Sequence, residues 1–177
     1  MATTLLSDFH KPKRKYRAFA SYWQSYGRLS ALLDSQWLWL AALVTLFLYP
    51  LWSKKEAEFD WVSVIFSTIP SLLGFSIGSV SILLAFSIGP KKALHKMRGS
   101  ASYYLKMMAS FFHFILLQFL AVGCGLFLMA YPSIYLSGIA FFVYAYALFS
   151  GVAAAAMLFS IAEIYDKSER LKESDSE

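Results

Sequence analysis

The chain has 177 residues, of which 58% are apolar, 18% aromatic and only 15% charged, well below the ~25% charge of a soluble domain. That balance excludes an ordinary water-soluble fold and points to an all-α, polytopic membrane protein of one domain, whose outer faces lipid solvates. A single cysteine excludes a disulfide framework, and the net charge of +5 makes the placement of the cations the next question.

Residues 1–35 form a basic N-terminal segment. Lys11, Lys13, Arg14, Lys15 and Arg17 cluster there without the apolar stretch of a cleavable signal, so the first span is expected to stay as both insertion signal and anchor. From Lys15 to Leu33 the apolar positions Tyr16, Phe19, Trp23, Tyr26, Leu29 and Leu33 recur every three or four residues, opposite Arg14, Arg17, Ser21, Gln24, Ser25 and Arg28. This is the pattern of a basic amphipathic helix, lying on the inner leaflet or packed against the cytoplasmic ends of a bundle. Asp34 offers an N-cap for the first span, and Trp37 and Trp39 suit the headgroup belt.

Residues 36–164 read as a four-helix transmembrane domain. Four apolar segments run from Trp37 to Trp52, Trp61 to Ile88, Met107 to Tyr131 and Ser133 to Ala162, and none contains Lys, Arg, Asp or Glu. A crossing needs about 20 apolar residues, because ~30 Å of hydrocarbon is covered at ~1.5 Å per residue. The first segment is slightly short, and the other three are long enough to tilt. The tail, residues 165–177, mixes Lys167, Arg170 and Lys172 with acids and is expected to extend the fourth helix.

All but Lys54 and Lys55 of the 16 cations fall on one side of such a bundle. The positive-inside rule then places both termini and the 90–106 loop in the cytoplasm, and a bacterial inner membrane is the expected location. Lys91, Lys92, Lys96 and Arg98 join the N-terminal cluster in one basic surface suited to anionic lipid headgroups or a cytosolic protein partner. Nucleic acid is not expected, since no aromatic-interleaved module accompanies the cations.

The second segment carries a stripe of small residues. Ser67, Ser71, Gly74, Gly78, Ser81 and Ala85 follow at alternating steps of four and three, leaving one face nearly free of bulk. Such a face admits another backbone, within the protomer or in a homo-oligomer, and its serines could instead line a narrow pore. A poorer stripe, Ala140, Ala147, Gly151 and Ala154, lies on the fourth segment. Pro70 either kinks one long helix, the preferred reading, or starts the second span after a short outer helix over 59–68. Gly89-Pro90 ends that span in either case.

His113 and Gln118 are the strongly polar side chains of the third segment. An intramembrane histidine is a functional candidate, although a bond to a neighbouring helix is the commoner role. Counted from the cytoplasmic helix ends, His113 lies ~12 Å deep and Ser81 ~11 Å, Gln118 ~20 Å and Ser76 ~18 Å. Equal depth predicts a His113–Ser81 and a Gln118–Ser76 hydrogen bond, or the equivalent bonds to a neighbouring protomer. Gly74-Phe75-Ser76-Ile77-Gly78 spells the G-x-S-x-G string of serine hydrolases, but the string is mid-helix and Ser76 lies ~6 Å deeper than His113. No cofactor or metal is expected: His10, His95 and His113 are scattered and Cys124 has no neighbour of its kind. Intramembrane carboxylates and internal repeats, the usual marks of pumps and transporters, are missing.

The function these features support is a non-enzymatic, homo-oligomeric membrane subunit, acting as platform or sensor for a cytosolic partner. Compact proteins of this kind occur in bacterial stress and anti-phage systems, which supplies a background expectation only. The alternative is a pore-forming or membrane-disrupting effector lined by the second span.

Overall fold

A computed structural model describes residues 17–53, 60–86 and 103–174. Every regular element in them is helical: α1 Arg17–Tyr26, α2 Arg28–Leu33, α3 Gln36–Phe47, α4 Tyr49–Ser53, α5 Trp61–Phe86, α6 Tyr103–Ala130 and α7 Ile134–Ser174. Three stretches are long and apolar enough to cross a membrane, Trp61–Ile82, Leu105–Ala130 and Ile134–Ser160. Their outward faces carry Phe119, Phe127, Met129, Ile139 and Phe159, all more than half exposed, an apolar surface that water would not tolerate at this extent. The chain is built as a membrane protein.

The segment expected as the first crossing is broken. α3 has 12 residues and covers ~18 Å, and the chain leaves the helix at Leu48 (φ −89°, ψ 19°) before α4 begins. Pro50 is the cause: it lacks the N–H that would continue the α3 ladder, so it is accommodated in the first turn of a new helix. The break is closed by its neighbours, because Trp52 Nε1 donates to the Thr45 carbonyl at 2.8 Å and Ser137 Oγ to the Trp52 carbonyl at 2.6 Å.

The N-terminal helix is likewise two helices. Gly27 sits at φ 106°, and a Cβ there would lie 2.7 Å from that of Ala31, so only glycine fits the corner between α1 and α2. Asp34 does not cap α3; it closes α2, and Ser35 takes the N-cap position without a side-chain bond. Pro70 lies inside a continuous α5, so the separate outer helix over 59–68 does not form in the described part, Trp61 onward. The missing N–H at Pro70 is tolerated because the rest of the ladder continues on both sides. The expected end at Gly89-Pro90 lies outside the described residues.

α7 is the hub. It packs along α6 most extensively and along α3 and α4 on another side, while α5 and α1 lie mainly on α6. The end of the bundle at the start of α5 is filled by Trp61, Ile65, Ile69, Ala121, Phe141 and Tyr144. Towards the other end two clusters share the load, one around Phe111 and Phe114, the other around Ala41, Leu117 and Tyr146.

The two small-residue stripes exchange the roles their quality suggested. Ala140, Ala147, Gly151 and Ala154 of α7 are all buried within the protomer. A Cβ at Gly151 would lie 2.8 Å from the Phe114 ring, so this glycine makes room for an aromatic knob. On α5 the buried residues are Trp61, Ile65, Ile69, Ser76 and Ser79, on the side opposite the stripe. Ser67, Ser71, Gly74, Gly78 and Ser81 are exposed, and nothing comes within 4 Å of a Cβ built on either glycine. The side chain of Ala85 lies outside the described set.

Candidate functional site

Polar side chains gather where α1, α6 and α7 meet. His113 of α6 is 8% exposed and bonded through both ring nitrogens: Nδ1 meets the Tyr22 hydroxyl at 2.7 Å and Nε2 the Tyr146 hydroxyl at 3.2 Å. A neutral imidazole serves both at once, donating through one nitrogen and accepting through the other. Tyr26 stacks on the same ring at 4.2 Å between centroids, and Tyr22 meets the edge of Phe112 at 4.9 Å. Tyr26, Ser35 and Ser150 surround the Tyr146 hydroxyl. Burial, reinforced by the nearby Tyr146, pushes the Tyr22 phenol up to about 12, and burial raises Tyr26 as well. Both therefore stay protonated and available as donors.

The helix pattern explains how these groups converge. Tyr22 and Tyr26 are one turn apart on α1, so a single face delivers both rings to α6. This corrects the expected apolar face, which omitted Tyr22 and ended on Leu33: Tyr22 is buried, and Leu33 is 59% exposed. Tyrosine passes as apolar in a hydropathy pattern, yet its hydroxyl is what a buried histidine needs. The only sequence sign of the pairing is the i, i+4 spacing of Tyr22 and Tyr26 beside an otherwise basic face.

The expected His113–Ser81 bond is absent. Ser81 is exposed and donates to the Ile77 carbonyl of its own helix at 2.9 Å. Equal depth sets height along the bundle but not direction around the helix axis, and Ser81 belongs to the outward stripe. The second expected bond is present. Gln118 Nε2 donates to Ser76 Oγ at 2.8 Å, while Ser76 Oγ donates to the Leu72 carbonyl at 2.8 Å. Gln118 is fully buried, and its Oε1 has no partner. Ser76 thus sits mid-helix with its proton committed to its own backbone, and His113 is held elsewhere. No nucleophile–base pair is assembled from the two.

Towards the start of α5, Tyr144 donates to Thr68 Oγ1 at 3.3 Å, tying α7 to α5. Among the described residues no group of three or more His, Cys, Asp or Glu side chains could hold a metal ion. Of the basic surface, Arg17 opens α1, and its side chain is not described. Lys11, Lys13, Arg14, Lys15, Lys91, Lys92, Lys96 and Arg98 lie outside the described residues. Beyond Ser160 the charged tail continues α7 as far as Ser174, with Glu163 exposed and Arg170 paired to Asp166 at 3.1 Å. No family model, curated protein or solved structure matches the chain.

Proposed function

We propose that this chain is a non-enzymatic membrane subunit that crosses the bilayer four times with both termini cytoplasmic, assembles with copies of itself, and serves as platform or sensor for a cytosolic partner. The observation that carries the assembly is the outward face of α5. Its own bundle uses the opposite side, and the exposed glycines leave room for a second backbone where lipid offers no hydrophobic drive.

Support for a fourth crossing comes from the path of α3 and α4. Trp37 stacks 6.4 Å from Phe149, and Trp52 packs on Gly138. The broken segment therefore runs antiparallel to α7 from Ser137 to Phe149, ~18 Å of its length. The platform reading is supported by α7 itself, which carries charge past its apolar stretch on a helix of 41 residues. Anionic headgroups and a protein partner are both suited to the basic loop and N-terminus read from the sequence.

A second reading, a pore along α5, draws on the exposed Ser67, Ser71 and Ser81 of the same face. One experiment separates the two. The protein is reconstituted in liposomes, its copy number is measured by single-molecule photobleaching, and ion and dye flux are followed. The platform reading expects an oligomer that Gly78→Leu dissolves and no flux. Flux that vanishes under a stripe substitution preserving the oligomer establishes the pore instead.

A further inference from the structure

We propose that α1 is a hinged latch, closed on α6 by the Tyr22–His113 pin and opened by transfer of the helix to an anionic membrane surface. Three observations converge on this device. First, α1 joins the rest of the bundle at a corner that only glycine can form: Gly27 has φ 106°, and Ala31 leaves no room for a Cβ. α2, beyond the corner, is anchored separately, with Leu32 packed against the Ala41–Tyr146 cluster. The corner therefore separates an element packed into the apolar core from one held at the α6–α7 seam by a few polar and aromatic groups.

Second, α1 is held by a different kind of contact from the rest of the bundle. The helices elsewhere interlock through Phe111, Phe114, Ile65 and Ile69, all essentially inaccessible. α1 instead docks through the Tyr22 hydroxyl on His113 Nδ1, the Tyr26 ring on the imidazole, the Tyr26 hydroxyl on that of Tyr146, and the Tyr22 ring on Phe112. Contacts made by a few oriented groups are lost together when the helix tilts away, which gives two states rather than a gradual loosening.

Third, α1 has somewhere else to go. Arg17 begins it, Arg28 follows its corner, and Lys11, Lys13, Arg14 and Lys15 precede it in the sequence, while Tyr22, Trp23 and Tyr26 are residues at home in the headgroup layer. A basic helix with aromatic anchors binds anionic headgroups, so docking on α6 and lying on lipid compete for one aromatic face. Opening uncovers Phe112 and His113 to the inner interface. The latch needs a membrane-embedded bundle only, and not the cytosolic partner proposed above.

The test is a distance measurement on the full chain. Spin labels at Gln24 and Glu163, both exposed, in a Cys124→Ala background report the position of α1 against α7 by pulsed electron resonance in nanodiscs. In phosphatidylcholine discs one closed distance is expected. Tyr22→Phe, which removes only a hydroxyl, should raise the open-to-closed ratio roughly fivefold, the effect of losing one hydrogen bond. Phosphatidylglycerol-containing discs should populate the same open distance in the unsubstituted protein, and Gln118→Leu, remote from the pin, should leave the ratio unchanged. A distribution identical to the parent in both Tyr22→Phe and anionic discs would overturn the latch, as would an equal shift caused by Gln118→Leu. His113→Phe removes the other half of the pin and should open the latch in the same direction; should it fail to fold, Tyr22→Phe and the lipid series still decide.

Discussion

Gln118 and Ser76 show how little polar chemistry this interior contains and how unevenly it is satisfied. Gln118 has one partnered nitrogen and one orphaned oxygen, and Ser76 has a second partner in its own helix. Removing one member of such a pair is costly only when it strands the other. Ser76→Ala strands the whole carboxamide and should lower stability by ~1–2 kcal/mol, whereas Gln118→Leu also removes the orphan and should change it by less than ~1 kcal/mol. The double substitution should cost less than Ser76→Ala alone, a non-additivity that a thermal or steric-trap unfolding series in detergent would measure. Gly151 makes a second contrast. Alanine there drives a Cβ to 2.8 Å from the Phe114 ring and should cost ~1–3 kcal/mol, with Phe114→Leu restoring part of it. Alanine at Gly74 meets nothing within 4 Å and should leave the melting temperature of the isolated protomer unchanged.

At the scale of elements, breaks are set by single residues. Gly27 turns one amphipathic pattern into α1 and α2, and Pro50 turns one apolar run into α3 and α4. Pro70 breaks nothing, because it lies within an α5 whose flanking turns remain helical. Gly27→Ala should cost ~1–2 kcal/mol, since it puts an L side chain into a left-handed conformation, and should shift the α1 distance even in phosphatidylcholine discs. The periodicity of the sequence ran through both Gly27 and Pro50 as if each pattern were one helix. What periodicity could not show was which side of each resulting helix is covered. The α5 stripe, with its GxxxG pair, is the more regular of the two and faces out, while the sparser α7 stripe forms the packed seam. The reason is local to the partner: α7 sits between α6 and α3 and needs small residues to admit Phe114, whereas α5 meets α6 through bulky Ile65 and Ile69.

For the whole molecule the consequence is a bundle whose internal seams are filled and whose free face is a helix of small residues. The proposed topology is checked by cysteine labelling from each side of oriented vesicles. Cysteines introduced at Ser7 and at Ser176 should react with an impermeant reagent from the cytoplasmic side, and one at Ser133 from the opposite side. Opposite reactivity of the two termini would reduce the proposed four crossings to three and remove α3 and α4 from the count.

Long apolar runs and the absence of charge within the segments were enough to determine a helical membrane protein, because a bilayer imposes length and composition on each crossing independently of its neighbours. Depth, too, was legible, and it paired Gln118 with Ser76. Azimuth was not. Which face of each helix is buried depends on the side chains of other helices, so only the tertiary structure placed Tyr22 and Tyr146 on His113, turned Ser81 outward, and left the α5 stripe open.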